Sequence, residues 1–267
     1  MIIRSFTDMM NRRVDIPFPP QRIISLVPSQ TELLYDLGLG DRVVGQTIFC
    51  IHPSEMHATK PRIGGTKKIN IEKIRDLQPD LIIGNKEENE QKQMEELMKE
   101  FPVWMSDIKN LGDSLEMINR IGCITNTEIL AENLRNTIAQ SFQKIAIQNT
   151  INTAYFIWRN PWMVAGSDTF INDMMQRMGL VNVFAKSGSR YPEVSLDDLK
   201  RSGAEVVLLS SEPYPFANKH IEEIQAILPG AQIVLVDGEM FSWYGSRLQK
   251  SAEYFTSLSN QLNKHFA

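Results

Sequence analysis

Four short stretches of this chain hold residue types that could do chemistry. In the first, Phe49-Cys50-Ile51-His52-Pro53, Cys50 and His52 stand two apart. A thiolate and an imidazole at that spacing could be half of a soft-metal site or a nucleophile with its base. Two ligands are too few for a metal centre, and a structural cysteine beside a hydrogen-bonded histidine is the competing reading. The second stretch is Gly64-Gly65-Thr66-Lys67. It has the glycines and lysine of a phosphate loop but not the G-x-x-x-x-G-K-[ST] spacing, so nucleotide binding is not expected. The third, Glu87-Glu88, reads as an acid/base pair or as a solvated helix start, since carboxylates favour helix N-termini. The fourth, Ser29, has no G-x-S-x-G elbow around it and reads as a helix cap. None of the four makes an enzyme, and neither a metal site nor a cofactor is expected.

Those residues need elements to position them. Arg13 to Ile16 is a short strand candidate before the breaker Pro17-Phe18-Pro19-Pro20. Ile23 to Val27 is an apolar strand. Ser29 and Glu32 make an S-x-x-E box for a helix that ends at Gly38, and Val43-Val44 starts the next strand. Strand, capped helix, Gly stop and strand form a parallel βαβ unit. The pattern continues with a helix from Ile71 to Leu77 capped by Asn70, a strand at Leu81 to Ile83, a helix through Met94, Leu97 and Met98, and a strand at Val103 to Met105. After the middle of the chain it resumes. Thr153 to Trp158 is a strand, and Met163 to Ala165 pairs with what precedes it. Gly166-Ser167-Asp168-Thr169 caps a helix from Phe170 to Met178, closed by Gly179, and Ser195 caps Leu196 to Lys200. Glu205 to Leu209 is a strand, Ile221 to Leu228 a helix, Ile233 to Val236 the last strand, and Gly245 to Phe266 a closing helix.

Between the halves lies Thr127 to Asn149, without Gly or Pro. Leu130, Leu134, Ile138, Phe142 and Ile145 fall on one helical face. Thr125 and Glu128 read as a capping box, with Ile124 stapled onto Ile129. One helix over this stretch would span about 34 Å. The expected fold class is therefore α/β: two Rossmann-like lobes with parallel sheets, joined by a single long backbone helix, with a ligand cleft between them. The expected boundaries are 1–112 for the first lobe, 113–150 for the linking segment and 151–267 for the second lobe. An ordinary surface helix of one domain is the alternative.

Ligands of open parallel sheets bind beyond the carboxyl ends of the strands. The residues there are Phe49, Cys50 and His52; Gly64 to Lys67, with Thr66 as the polar contact; and Asn85, Glu87, Glu88 and Asn89. In the second half they are Trp158, Arg159 and Trp162; Arg190 and Tyr191; Glu212, Tyr214 and Phe216; and Met240, Phe241, Trp243 and Tyr244. Three of the four tryptophans gather there, which suits a wide, mostly apolar ligand with polar edges. Packing of the lobes by the same rings is the bland alternative.

Composition limits the partners. Hydrophobic residues make up 42% of 267, enough for a real core. A net charge of −4 argues against nucleic acid or an anionic membrane as the main partner. No apolar run approaches the ~18 residues of a membrane span. Cys50 and Cys123 have no metal spacing, and a disulfide between them cannot be assigned. The first twenty residues do not read as a signal peptide. The expected location is the periplasm or cell envelope if a leader was removed, and the cytoplasm if Met1 is native.

Several stretches together resemble a known family. RIISLVPSQTELLYDLGLGDRVVG, GGTKKINIEKIRDLQPDLIIG and GSDTFINDMMQRMGLVNVF are similar to the helical-backbone substrate-binding proteins of ABC importers, which take vitamin B12, haem and ferric siderophores. FCIHP, GGTK, NKEEN, IWRNPWM, RYPEVSLDDL, SEPYPF and WYGSRL resemble the cobalamin-binding-like subgroup, the helical backbone metal receptors. The resemblance implies a non-enzymatic binder of a corrinoid or another metal chelate, delivering it to an ABC permease. It also implies that Glu72 in NIEKI and Asp197 in VSLDD dock onto permease arginines, although both also suit a helix start with no partner. The chain departs from the B12 binders at Thr66 and Asn85, where tryptophans are expected. His52, Tyr191 and Tyr244 could serve a haem iron, and Arg159 and Arg190 an anionic chelate. The alternatives are a cytosolic carrier or sensor of the same fold without a permease and, more distantly, a Cys/His enzyme.

Overall fold

The computed structural model describes residues 2–264. The chain divides into two compact units. Among the described residues, unit 1 comprises 2–108, 112–139 and 244–247, and unit 2 comprises 109–111, 140–243 and 248–264.

Unit 1 opens with a hairpin, β1 (Ile2–Thr7) against β2 (Arg13–Phe18), paired antiparallel. Only the second strand is legible in sequence, because β1 is exposed along most of its length and carries no alternation. Then follow β3 (Ile23–Ser25), α1 (Pro28–Asp36), β4 (Val43–Gln46), α2 (Ser54–Thr59), α3 (Ile71–Leu77), β5 (Leu81–Asn85), α4 (Gln91–Leu97) and β6 (Val103–Ser106). The four main strands form one parallel sheet in the order β4-β3-β5-β6. Ile24, Leu26, Ile82 and Met105 from the sheet pack with Ile74, Met94 and Leu97 from the helices, an apolar core under a parallel sheet. Asn70 caps α3 as expected, accepting the Lys73 N–H at 3.0 Å.

The S-x-x-E box at Ser29 does not form. α1 starts two residues earlier, with Pro28 in its first turn and Val27 at the cap, so Ser29 already lies inside the helix and is buried. Glu32 turns inward instead. Its carboxylate accepts two bonds from the Arg247 guanidinium, at 2.8 and 2.9 Å, and both side chains are buried.

Of the expected 23-residue helix Thr127–Asn149, only Glu128–Gln143 is helical, and a separate helix precedes it. α5 (Leu111–Thr125) ends where Asn126 takes a left-handed φ of 62°, and α6 (Glu128–Gln143) starts two residues later. Thr125 is not a cap for α6. Its hydroxyl donates to the Ile121 carbonyl at 2.7 Å, inside the last turn of α5. The staple is also absent, since Ile124 is buried while Ile129 is 77% exposed. The buried stripe of α6 begins at Ala131, not Leu130, and continues through Ile138 and Phe142. Its far end is earlier than periodicity suggests. Gln148 and Asn149 donate side-chain bonds to Asn260 and Asn263, which draws the chain out of helical geometry before the next strand. One of the passages of the chain from unit 1 to unit 2 falls within α6, between 139 and 140.

Unit 2 holds β7 (Ile151–Trp158), β8 (Met163–Val164), α7 (Phe170–Arg177), β9 (Leu180–Asn182), α8 (Leu196–Arg201), β10 (Val206–Ser210), α9 (Asn218–Gln225), β11 (Gln232–Val236), α10 (Gly238–Ser242) and α11 (Leu248–Asn263). The sheet runs β11-β10-β7-β8, with β9 also on β7. All pairs are parallel except β7 with β8. Thr169 and Ser195 cap α7 and α8 as expected, and Ser195 adds a full capping box with Asp198. α9 starts three residues before its expected position, and the closing helix starts at Leu248 rather than Gly245. Its expected end at Phe266 lies outside the described residues. The short elements α2, β9 and α10 carry too few periods to be read from sequence.

Substitutions at two places test this architecture. A Cβ on Gly122 of α5 would sit 2.4 Å from the Ala131 Cβ of α6, so the two helices touch without room for a methyl group. Gly122→Ala should lower stability by about 1–3 kcal/mol in urea unfolding, despite alanine's better helix propensity, and Ala131→Gly should restore part of it. Glu32→Gln leaves a buried arginine without its counter-charge and should cost about 3–5 kcal/mol in the same assay, whereas replacing both partners by Met should cost far less.

Candidate functional site

The strand ends of unit 1 carry a network of carboxamides. Asn89 folds back onto β5, where its Oδ1 accepts the Asn85 N–H at 2.8 Å. Its amide donates to the Leu26 and Thr66 carbonyls at 3.3 and 3.1 Å. This return needs the glycine at 84, because a Cβ there would meet Asn89 Oδ1 at 2.8 Å. Asn85 Oδ1 accepts the N–H groups of Glu87 and Glu88 at 2.8 and 3.1 Å, and its amide donates to Ser106 Oγ at 3.0 Å. Gln30 of α1 donates to the same oxygen at 2.6 Å. Asn85, Thr66, Glu87, Glu88 and Asn89 are thus brought together, with Asn85 and Asn89 buried as scaffold and the glutamates half-buried.

Tyr244 joins this group from far along the sequence. It is buried beside Ser29 and Ser106, and burial pushes its phenol well above the usual range, with Glu88 and Glu87 adding to the shift. Gly245, next to it, donates its N–H to Ser114 Oγ at 3.1 Å, and Arg247 holds Glu32. Sequence reasoning missed Glu32, Gln30, Ser106 and Arg247 in this group. Nothing in their local sequence shows the contacts they make, and only the folded neighbourhood tells what each does.

Cys50 is fully buried. Thr31 donates to its sulfur at 3.0 Å and Thr47 lies at 3.1 Å, while burial pushes the thiol above its ordinary range. It anchors its loop from within, and the structural reading of Cys50 is the one the geometry favours over a reactive thiolate. His52 is half-buried on the same loop. The loop turns Ile48, Phe49 and Ile51 outward, Phe49 to 53% exposure. Its ring lies over Gly65, where a Cβ would stand 3.1 Å from the ring edge.

Unit 2 places rings where unit 1 places amides. Trp158 and Arg159 close β7. Arg159 makes a bidentate pair with Glu223 of α9, both bonds 3.0 Å, and stands 5.4 Å from the centre of the Trp162 ring. Trp162 stacks on Phe216 and meets Phe156 edge-on, so it belongs to the unit's core as well as to the strand end. Tyr214 packs edge-on against Trp158 and Phe216. Trp158 is the most exposed of these rings, at 40%.

Glu212 and Trp243 form a separate pair. The Glu212 carboxylate accepts Trp243 Nε1–H at 3.0 Å and Ser242 Oγ–H at 2.5 Å. Burial raises its pKa, and these two bonds partly oppose the rise. Trp243 is buried and belongs to unit 2, while its neighbour Tyr244 belongs to unit 1. Arg190 stands 6.0 Å from the centre of the Tyr191 ring, and both are half-buried. Among the described residues, no group of three or more His, Cys, Asp or Glu is placed to hold a metal ion, and no helix is long and apolar enough to cross a membrane.

The two carboxylates assigned to docking differ in setting. Glu72, in the first turn of α3, is 80% exposed and accepts a bond from Arg75, which also pairs with Glu96 and Glu100. Asp197, in the first turn of α8, is exposed, and the capping and ion-pairing roles there fall to Asp198.

Known proteins match this chain across most of its length. The vitamin B12-binding protein of Vibrio cholerae is 28% identical over 210 residues, covering 77% of this chain and 75% of its own. The crystal structure of the periplasmic vitamin B12 binding protein of that organism superposes with a TM-score of 0.80 at 24% identity, covering 93% of this chain and 100% of that one. The apo periplasmic heme-binding protein of Roseiflexus sp. RS-1 gives 0.79 at 19%, covering 90% and 98%. These structural likenesses share the two-domain α/β fold with parallel sheets. The periplasmic binding protein profile matches residues 23–231, well over half of the sequence, and the chain belongs to that family, whose members bind substrates rather than transform them.

Proposed function

We propose that this chain captures a corrinoid, or a related metal chelate such as haem or a ferric siderophore, and delivers it to an ABC permease outside the cytoplasm. The observation that carries the reading is apolar surface left at strand ends. Phe49, Ile48 and Ile51, on a loop of unit 1 held by buried hydrogen bonds, are exposed, and so is Trp158, at the end of a strand of unit 2 and packed on Tyr214. Rings and aliphatic side chains kept rigid in contact with water suit the faces of a wide, flat ligand. Glu87 and Glu88 of unit 1 and Arg190 of unit 2 are proposed for the polar edges of the ligand. The vitamin B12-binding and heme-binding relatives support the same ligand class. Glu72 and Asp197 are proposed as the permease contacts, one exposed carboxylate on each unit.

The test is a tryptophan-fluorescence titration with cobalamin, cobinamide, haem and a ferric siderophore. Saturable quenching by at least one of them at micromolar concentration or below is expected, and no quenching by any of the four overturns the reading. Trp158→Ala should weaken that ligand about tenfold, about 1.4 kcal/mol, without lowering Tm. Reversing Glu72 and Asp197 to Arg should leave ligand affinity unchanged and abolish ligand-dependent stimulation of the permease ATPase. Retained stimulation would remove both carboxylates from the docking role.

A further inference from the structure

The strand-end loop after β10 contains a hydrogen-bond relay with a fixed direction. The Ala217 backbone N–H, at the start of α9, donates to His220 Nδ1 at 2.9 Å. A backbone N–H can only donate, so Nδ1 carries a lone pair and the ring proton sits on Nε2. His220 Nε2 lies 3.2 Å from the Tyr214 hydroxyl, and with that tautomer the histidine is the donor. The ring is buried and makes edge-on contacts with Tyr214 and Phe216, and turning it over would set a ring C–H against the Ala217 N–H. Burial, followed by the charges of Lys219 and Arg159, lowers the His220 pKa, which keeps the imidazole neutral.

The Tyr214 oxygen is therefore an acceptor toward His220, and its own hydrogen must be given to something else. Arg159, held by Glu223, is the other polar neighbour of the phenol, and a guanidinium has no lone pair to offer. No acceptor among the described residues is within hydrogen-bond distance of that hydroxyl. An O–H whose oxygen already accepts is a stronger donor than an isolated one. Tyr214 meets Trp158, the exposed ring at the end of β7, so this donor stands beside the proposed ligand surface.

We propose that Tyr214 reads a hydrogen-bond acceptor oxygen on the edge of the ligand, and that His220 is the positioning residue that fixes the direction of this bond. The proposal rests on the binding-protein reading and adds a polarity to it: at this point the ligand presents a carbonyl, carboxylate or phosphodiester oxygen, not an N–H. Cobalamin, cobinamide and haem separate the sources. Cobinamide keeps the amides without the phosphodiester, and haem offers only carboxylates.

Two measurements test it. Without ligand, the nitrogen-15 shifts of His220 should report the Nε2–H tautomer in the intact protein, and an Nδ1–H tautomer overturns the relay. With ligand, Tyr214→Phe keeps the ring and removes one oxygen. It should weaken binding about three- to tenfold at unchanged Tm, and which of the three ligands loses affinity identifies the oxygen. His220→Leu should show a similar loss in the native background and none in the Tyr214→Phe background. A residue that only packed the core would cost the same in both. Should His220→Leu fail to fold, the tautomer and Tyr214→Phe results decide alone. Equal affinity of Tyr214→Phe and the native protein for every ligand overturns the proposal while leaving the binding-protein reading intact. A native protein that binds none of them overturns both.

Discussion

The buried ion pair between Glu32 and Arg247 joins two segments of unit 1 that lie 215 residues apart in the sequence. Two charges inside a protein cost several kcal/mol each to desolvate, and only close, bidentate geometry offsets that. The pair therefore specifies position more than it adds stability. It ties Tyr244 to Arg247, at the far end of the sequence, onto α1 at its start. Gly245 meets Ser114, and Tyr244 is set beside Ser29, Ser106 and the Glu87–Glu88 turn. The pair thus anchors the short segment that carries Tyr244, a buried phenol of unit 1.

The two units hold their strand-end loops by different chemistry. In unit 1, side-chain amides take the place of backbone partners that loops lack: Asn85 and Asn89 between them satisfy N–H and C=O groups from three segments. Such a network is rigid only while every member stays paired. Unit 2 relies on rings packed edge to face or stacked, Trp158, Tyr214, Phe216 and Trp162, with the Arg159–Glu223 pair at their border. Ring packing tolerates water at one edge, so Trp158 can be half-exposed and still well placed. Loops held in place before a ligand arrives reduce the ordering cost of binding.

How much of this could be read from sequence follows from the range of each interaction. Asn70, Thr169 and Ser195 act within one helical turn, and all three caps form where the residues predict them. The apolar strands of the two parallel sheets are also legible, because burial on both faces forces continuous Val, Ile and Leu. Thr125 and Ser29 misled for one shared reason. A hydroxyl near a helix start is a cap only if the helix starts there, and a Pro at 28 and an Asn at 126 moved the boundaries. Trp162 was legible as a strand-end ring but not as a core residue. The roles of His220 and Arg247 were beyond reach, since one depends on a tautomer and the other on a partner 215 residues away.

Glu32, Glu72 and Asp197 look alike in sequence, each a carboxylate near the start of a helix. A helix dipole favours all three by a few tenths of a kcal/mol to about 1 kcal/mol, too little to separate them. Burial separates them. Glu32 faces the interior, where a lone carboxylate would be intolerable, so it must have Arg247 and serves the fold. Glu72 and Asp197 face solvent, where an ion pair is worth about 0–1 kcal/mol and the Glu72–Arg75 contact exchanges readily with another cation. A partner's arginine that buries one of these carboxylates would convert a weak, screened charge into a desolvated, directional one. The surface carboxylates thus remain available for recognition for the same reason that the buried one is not.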